Sequence, residues 1–261
     1  MLKIGEKLNS SIPRTLAAMK ERDDETLLQL IRDQEAGGAA YLDINTALVG
    51  ETEAEELRRI VSMALRESGC GIMLDSPNAQ VLARTLPAAE GRPVMVNSVT
   101  LDARYDALLP LIGETGAGVV CLPMADGRIP LDPRQRVDNA EALANKLAAA
   151  GVPAEKIWID VLAESIATSD CAARAALETI RQIKERLPEV RTLCGLSNIS
   201  FGLPQRANIN GIFLAMALSC GLDGAILDVN SAKVRTALLA AEAILGKDEY
   251  CLDYIDAMRN Q

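Results

Sequence analysis

The stretch Ala40–Asp75, AYLDINTALVGETEAEELRRIVSMALRESGCGIMLD, contains the repeating unit of the chain. A short apolar run ends at Asp43-Ile44-Asn45, a Glu-rich helix is predicted from about Thr52 to Glu67, and a second apolar run ends at Asp75. Apolar residues in the helix recur at positions 57, 60, 61, 64 and 65, which is the spacing of one helical face. Near-continuous apolar strands that alternate with amphipathic helices predict a parallel sheet with both faces covered.

The same unit repeats along the chain. Eight short apolar runs, each followed by a helical pattern at a spacing of roughly 30 residues, cover positions 2–4, 40–42, 71–74, 93–96, 119–122, 157–159, 192–194 and 225–227. We therefore predict an α/β fold, a single (β/α)8 TIM barrel, with residues 1–261 as one domain. A doubly wound open sheet is the alternative fold at this point.

Local signals predict where individual elements begin and end. Gly5 is expected to close the first strand. Capping residues and a proline predict helix starts at Asp23 or Asp24, at Ser76 or Pro77, and at Asp170. Further helical patterns lie near residues 104–113 and 250–260.

The composition restricts the classes of partner and location. The net charge is −9 and the basic residues form no dense cluster, which argues against nucleic acid or an anionic membrane as partner. No apolar run reaches the length of a membrane span, and the N-terminal residues lack the long apolar segment of a signal peptide. The six cysteines contain no CxxC pair, so we expect a reducing cytoplasm as the location.

The chain contains no histidine. Ser-His-Asp and Cys-His catalysis are therefore excluded, and a zinc site of the usual kind is not expected. The remaining possibilities are carboxylate, amide and hydroxyl chemistry, or a reaction that depends mainly on binding and orientation.

Polar residues follow most of the predicted strands. They are Asn9, Asp43, Asn45, Asp75, Asn97, Asp160, Asn198, Asp228 and Asn230. Asp and Asn also serve as helix caps and turn residues, but in this fold the carboxyl ends of all strands meet at one mouth, where active sites lie. A ring of carboxylates and amides suits an uncharged heterocycle rich in N–H groups and ring nitrogens. A hard divalent cation is the alternative ligand, and a phosphorylated sugar is disfavoured because the last loop lacks a glycine-rich turn.

The stretch Arg191–Asn198, RTLCGLSN, is the candidate centre of the chemistry. A buried strand ends at Cys194, Gly195 breaks it, and Asn198 follows in an exposed turn. An asparagine side chain offers a hydrogen-bond donor and an acceptor and does not titrate.

Seven stretches along the whole chain resemble those of one family, in the same order. They are IGEKLN (4–9), YLDIN (41–45), MLDSPN (73–78), MVNSVT (95–100), IWID (157–160), GLSNIS (195–200) and NINGIFLAMALSCGL (208–222). The chain resembles the pterin-binding corrinoid methyltransferases, and among them it is most similar to the methyltetrahydrofolate:corrinoid/iron-sulfur protein methyltransferase. The folate domain of cobalamin-dependent methionine synthase is a more distant resemblance.

The resemblance implies a barrel of the dihydropteroate-synthase type and a definite reaction. The enzyme would move a methyl group between N5 of tetrahydrofolate and the cobalt of a corrinoid (cobalamin) carried by a separate protein, in a direction that the sequence leaves open. Tetrahydrofolate or methyltetrahydrofolate would be the substrate, the chain would bind no metal, and it would form a homodimer.

The resemblance also implies roles for individual residues. Asp75, Asn97 and Asp160 match residues that bind the pterin ring, and Asp43 matches a polar neighbour in the same pocket. Asn198 matches the catalytic amide beside N5. Arg206 matches an arginine directed toward the p-aminobenzoate-glutamate end of folate.

The sequence departs from the family pattern at two places, and other functions stay open. Lys7 stands where relatives often carry arginine, and the loop Phe201–Gln205 is less polar than in the family. The alternatives are a dihydropteroate-synthase-like pterin enzyme, a non-catalytic folate- or corrinoid-docking scaffold, and a metal-dependent aldolase or lyase.

Overall fold

Eight parallel strands pair in chain order, and the last pairs with the first to close a barrel. The computed structural model describes residues 1–89 and 91–259. Its strands are β1 (Leu2–Asn9), β2 (Tyr41–Asn45), β3 (Gly71–Asp75), β4 (Val94–Val99), β5 (Gly118–Cys121), β6 (Ile157–Asp160), β7 (Arg191–Gly195) and β8 (Gly224–Leu227). The predicted TIM barrel is therefore confirmed, and the open-sheet alternative is wrong.

Helices cover the outside of the barrel and return the chain from one strand to the next. They are α1 (Pro13–Glu21), α2 (Asp24–Ala36), α3 (Glu53–Glu67), α4 (Ala79–Thr85), α5 (Leu109–Thr115), α6 (Pro133–Ala149), α7 (Ala172–Arg186), α8 (Arg206–Ser219), α9 (Ala232–Ile244) and α10 (Leu252–Arg259). The most hydrophobic of the long helices are α8 and α9, which pack against each other.

The prediction that Gly5 closes the first strand is wrong. Gly5 lies inside β1 and pairs with Leu42 on one side and Leu227 on the other. The strand register shifts just after Gly5, and there the Lys7 N–H donates to Gln34 Oε1 over 2.8 Å. The fully buried Gln34 of α2 occupies the space where a Cβ of residue 5 would stand, so glycine is needed for this close approach.

Several helix boundaries also differ from expectation. Helix α1 was not predicted; Pro13 occupies its first turn, where the missing N–H costs no hydrogen bond. Asp23 caps α2 as predicted, by accepting from Thr26 N–H. The prediction that Asp170 caps the next helix is wrong, because α7 begins after Cys171 and has no side-chain cap.

The other differences are shifts of a few residues. Helix α4 begins after Asn78, which accepts from Gln80 N–H, and not at residues 76–77. The predicted helix at 104–113 is a short 3₁₀ turn, Ala103–Tyr105, followed by α5. The C-terminal helix starts two residues late because Tyr250 is left-handed; Asn260, its predicted end, lies outside the described residues.

The barrel interior is built in layers, because alternate residues of each strand point inward. One buried cluster inside the barrel is apolar and consists of Ile4, Met73, Met95, Val120 and Leu193, with Leu2, Tyr41, Trp158 and Ile226 packed against it. A larger apolar core lies between the barrel and the helices. The inner cluster closes the barrel from below, so the carboxyl ends of the strands can carry polar groups.

All six cysteines are free thiols, and Cys70, Cys121 and Cys194 are buried as expected for small hydrophobic residues. Over residues 1–89 and 91–259, no group of three or more acidic or cysteine side chains is arranged to hold a metal ion. In the same part of the chain, every helix is too short or too polar to cross a membrane.

Candidate active site

A cavity of about 700 Å³ opens at the carboxyl ends of the strands. Four of its lining residues come from β2, β3, β4 and β6 and are Asp43, Asp75, Asn97 and Asp160. Each stands two residues after an inward apolar residue of its own strand, namely Tyr41, Met73, Met95 and Trp158. The two-residue period of a strand thus places these polar side chains directly above the apolar layer.

Asp43 lies deepest in this polar layer. It is in register with Met73 on β3, whereas Asp75 is in register with Asn97 on β4. Asp43 is only 2% exposed, and Asn97 Nδ2 donates to its Oδ1 over 3.4 Å. Burial, and then repulsion from the Asp75 carboxylate, raise the pKa of Asp43 well above its usual range. Asp43 therefore holds its proton to higher pH than a free aspartate does.

Asp75 is held by a chain of polar side chains. Asn45 Nδ2 donates to Asp75 Oδ2 over 2.9 Å, and Ser10 Oγ donates to Asn45 Oδ1 over 2.8 Å. Asn45 thus supports Asp75 from behind and does not line the cavity. Burial raises the pKa of Asp75 to about 6, and the negative charge of Glu53 contributes to the shift.

Asp160 occupies the mouth end of β6. The Leu162 N–H donates to Asp160 Oδ1 over 2.8 Å, and burial raises the pKa of Asp160 to about 6. Asp43, Asp75 and Asp160 can each accept hydrogen bonds when ionised and donate one when protonated. The cavity can therefore match a ligand edge that carries both N–H groups and bare ring nitrogens.

Asn198 stands on a 3₁₀ turn, Leu196–Ser200, directly after β7. Its side chain is exposed at the cavity wall and forms no hydrogen bond within residues 1–89 and 91–259. Gly195, the last residue of β7, also lines the cavity, and a Cβ there would lie 3.0 Å from Asn198 Nδ2. The glycine leaves the space into which the amide folds.

The turn that carries Asn198 is anchored on both sides. Ser197 Oγ donates to Glu6 Oε2 over 2.8 Å. The Arg206 guanidinium donates to Ser197 O over 2.6 Å and to Ser200 Oγ over 3.1 Å. Asn198 therefore has a free side chain on a fixed backbone.

Two of the lining residues carry positive charge, and both are already engaged. Lys7 Nζ lies 2.7 Å from Asp228 Oδ2 and 3.5 Å from Glu6 Oε1. Arg206 is exposed, holds the Asn198 turn and lies 5.9 Å from the ring centroid of Phe201. The cavity is consequently acidic in character, with hydrogen-bond acceptors in excess.

The six residues that the sequence assigned to the site, Asp43, Asp75, Asn97, Asp160, Asn198 and Arg206, all line this one cavity, as does Asn9. Asn230 does not belong to the ring, because its amide turns away and donates to Asp33 O outside the mouth. Glu6 and Ser197 were missed. Glu6 stands two residues after the inward Ile4, so the two-residue period would have found it if the strand had not been ended at Gly5.

A model of the pterin-binding enzyme family matches residues 5–228, which include every strand of the barrel at least in part. The chain belongs to the pterin-binding enzyme family. The family model thus spans the strand ends from Glu6 to Asp228 that form and support the cavity.

Individual relatives of this pterin-binding enzyme are consistent with that assignment. The chain is 29% identical to the methylcorrinoid:tetrahydrofolate methyltransferase of Eubacterium limosum, over 99% of this chain and 96% of that protein. It is 34% identical to the methionine synthase of Mycobacterium tuberculosis, over 87% of this chain but only 20% of the synthase.

Solved structures with the same fold include dihydropteroate synthases. The enzyme from Thermus thermophilus superposes with a TM-score of 0.67 at 21% identity, over 93% of this chain and 94% of that one. The enzyme from Xanthomonas albilineans gives a TM-score of 0.71 at 18% identity, over 94% of this chain and 92% of that one. At these identities the likeness shows the shared TIM barrel.

We predict that Asp160→Asn stabilises the ligand-free protein at neutral pH. A carboxyl whose pKa rises from 3.8 unfolded to about 6 folded binds more protons when folded, so stability is lost as pH rises from about 4 to about 6. The amide avoids this loss and can still accept from Leu162 N–H. Urea unfolding should give a free energy higher by about 1–3 kcal/mol at pH 7.5 and nearly equal to wild type at about pH 4.

The matched control is Asp126→Asn, which changes an exposed aspartate in the loop after β5. It should leave the free energy of unfolding unchanged at both pH values. An Asp160→Asn protein that is no more stable than wild type at pH 7.5 would show that the Asp160 carboxylate is not destabilised by its surroundings.

Proposed function

We propose that this enzyme is a methyltransferase that moves a methyl group between N5 of tetrahydrofolate and the cobalt of a corrinoid carried by a separate protein. Residues 1–261 would act as one pterin-binding domain. The observation that carries the proposal is the convergence of Asp75, Asn97, Asp160 and Asn198 on one acidic cavity in a member of the pterin-binding family. The full-length similarity to a protein named for this reaction supports it.

In this proposal the carboxylates and amides on the strand ends hold the pterin. Asp75 and Asp160 accept hydrogen bonds from the ring N–H and amino groups, Asn97 serves both donors and acceptors, and the deep Asp43 fixes Asn97 from below. Arg206, at the outer wall, faces the p-aminobenzoate-glutamate part of the substrate. The supporting contacts of Asn45 and Leu162 keep the two carboxylates in place before the substrate arrives.

Asn198 is proposed to act at N5. The tertiary amine is a poor leaving group until it gains positive charge, and methyl transfer to Co(I) then resembles an in-line displacement. The Asn198 oxygen can accept a hydrogen bond from N5–H as the proton arrives, and its amide can rotate to suit either state. The stabilisation is therefore greatest in the transition state, which is what accelerates the chemical step.

The proton itself must come from another group, because an amide does not titrate usefully. Asp43 and Asp75 have raised pKa values and face the same cavity, and a water-linked network from either could deliver it. A catalyst lowers the same barrier in both directions. The methylation state of the corrinoid protein would then set the net direction of transfer.

Three alternatives are less well supported. Dihydropteroate synthesis releases pyrophosphate, and the cations among the described lining residues are Lys7 and Arg206, which are both already bonded. The sequence identity to those synthases, 21%, shows a shared fold and not a shared activity. A non-catalytic docking scaffold would need neither a free Asn198 amide nor acids with raised pKa values. Metal-dependent aldolase or lyase chemistry would need a site for a hard cation, and a chelator that removes the cation would abolish the activity.

The corrinoid protein is proposed to dock on the rim of the barrel mouth. Three loops at the carboxyl end expose large apolar side chains, with Leu48 58%, Leu131 81% and Phe201 69% exposed. They follow β2, β5 and β7 and therefore surround the opening from which N5 must be reached. Exposed apolar groups that rim a functional opening mark interaction surfaces.

A homodimer is proposed on a different face, formed by α8 and α9. Ile212 is 66% and Met216 49% exposed, and Ile212 lines a groove of about 660 Å³ in which alanine is the most frequent lining residue. The groove lies on helices that are hydrophobic on most sides. We further propose a reducing cytoplasm as the location, in line with the six free thiols.

Asn198→Ala should lower methyl transfer by about 100-fold or more, because the transition-state hydrogen bond to N5 is lost. Folate affinity should fall by less than about tenfold. The measurements are a spectrophotometric cob(I)alamin assay with methyltetrahydrofolate, and calorimetric binding. Asp75→Ala should lower the affinity for folate more than it lowers the rate of methyl transfer.

The matched control is Asn230→Ala, an asparagine beyond a strand end but outside the cavity. It should keep both affinity and turnover. Transfer by Asn198→Ala at nearly the wild-type rate would remove Asn198 from the catalytic role, and a wild-type protein that binds folate without turnover would favour the scaffold alternative.

Leu131→Ser should raise the KM for the cognate corrinoid protein by about 3- to 10-fold, because an apolar contact on the rim is lost. The Kd for methyltetrahydrofolate and the rate with free cob(I)alamin should not change. Ile244→Ser is the matched control: Ile244 is 85% exposed, but it lies near Glu242, which pairs with the Met1 amino group at the opposite end of the barrel. Equal effects of the two changes would contradict docking at the mouth.

Ile212→Glu should convert a dimer into a monomer in light scattering, because a charge would be buried between the two α8 helices. Wild type and Leu131→Ser should both show twice the mass of one chain. A wild-type protein that is monomeric at micromolar concentration would refute the proposed dimer.

A further inference from the structure

Arg136, near the start of α6, is the largest fully buried side chain and is only 1% exposed. Its guanidinium donates to Pro130 O over 2.7 Å, to Val161 O over 3.0 Å and to Leu162 O over 2.9 Å. The remaining nitrogen donates to Glu164 Oε2 over 2.9 Å. One side chain thus joins the loop after β5 to the loop after β6.

The contacts after β6 fall on the residues that follow Asp160. Leu162 adopts a left-handed conformation with φ of 55° although it has a side chain, which costs free energy unless its neighbours hold it. In this conformation the Leu162 N–H reaches Asp160 Oδ1. The two carbonyls bound by Arg136 belong to Val161 and Leu162 themselves, so the guanidinium fixes the conformation that orients the Asp160 carboxylate.

A buried guanidinium is expensive unless every donor is satisfied. Here three of its partners are main-chain carbonyls and only one is a carboxylate, itself 35% exposed. The planar fork of arginine is suited to bind several oxygens at fixed angles, which a lysine ammonium cannot reproduce. This arrangement is better explained by a need for a precise loop geometry than by a gain from the ion pair alone.

We propose that Arg136 is a positioning residue for pterin binding, which fixes the Asp160 carboxylate in the cavity through the Val161 and Leu162 carbonyls. The inference rests on the proposed function, because it assigns Asp160 to the pterin. Arg136 does not line the cavity, so it would not contact the ligand itself.

Arg136 also acts on the charge of Asp160. Its positive charge and the Leu162 N–H both lower the pKa of Asp160, against the larger effect of burial. The other ionisable groups nearby are Glu164, paired with Arg136, and Cys194, whose thiol pKa is raised by burial and by Asp160. Removal of Arg136 should therefore move the acid limit of folate binding to higher pH.

The test measures calorimetric Kd for methyltetrahydrofolate from about pH 5 to about pH 8, and KM and kcat with free cob(I)alamin. Arg136→Met should raise Kd and KM about tenfold or more at neutral pH. The acid limb, which is the rise of Kd at low pH, should move upward by about one pH unit. The kcat at saturation should stay nearly unchanged. Arg136→Lys, which keeps the charge and only part of the fork, should give a smaller increase in Kd and still bind more weakly than wild type.

Three further variants are measured for comparison: two should keep the wild-type Kd, and one lacks the Asp160 carboxylate. Arg186→Met removes an exposed arginine with two carboxylate partners on the surface and should not change Kd. Glu164→Gln should also keep Kd, because the three carbonyl contacts remain. Asp160→Asn gives the full loss expected when the carboxylate is absent and should remove the Asp160 contribution to the acid dependence of Kd, while that of Asp75 remains.

Folded Arg136→Met with wild-type Kd and an unmoved acid limb would overturn the inference. If Arg136→Met does not fold, the same result with Arg136→Lys would overturn it. A wild-type protein that does not bind methyltetrahydrofolate would instead overturn the proposed function. Weaker binding by Asp160→Asn, with no effect of the Arg136 variants, would reject the positioning role alone.

Discussion

The alternation of side chains along parallel strands is the constraint on which this site depends. Every second residue of a strand faces inward. Because β3 contributes Met73 to the inner apolar cluster, it must contribute Asp75 to the polar layer above that cluster. The chain places acids or amides at that level on five strands, β1, β2, β3, β4 and β6. The same apolar layer that closes the barrel therefore removes water from beneath the carboxylates, and their raised pKa values follow from the fold.

A ligand-free cavity of this kind is a strained state of the protein. Burial disfavours the charge of Asp43, Asp75 and Asp160, and repulsion from Asp75 adds to this effect at Asp43. A heterocycle with several N–H groups would satisfy the acceptors and share protons with them. The free energy stored in the empty site would then be returned on binding, which is how a cavity with few cations can select a nearly neutral ring system over a phosphate ester.

The sequence predicted the barrel and most of the cavity because both obey periodic rules. Strand positions and the polar residues at their ends follow from apolar runs and the two-residue period, and all six assigned residues meet in one cavity. What failed was local and depended on tertiary contacts. Gly5 looked like a strand end, but Gln34 of α2 fills the space above it, and β1 continues far enough to bring Glu6 into the mouth. Asn230 fitted the pattern, yet its amide is drawn to Asp33 O outside the barrel.

The proposed role of Arg136 could not be predicted from the sequence for the same reason. It depends on contacts that form where the loops after β5 and β6 approach each other. Its position suggests a division of labour in the site. The carboxylates that would hold the ring are fixed by buried contacts, whereas Asn198 has a free amide on an anchored turn. Binding groups gain from rigidity, because misplacement costs affinity. A group that must follow a change of protonation gains from freedom to rotate, and the turn after β7 supplies that freedom at one residue only.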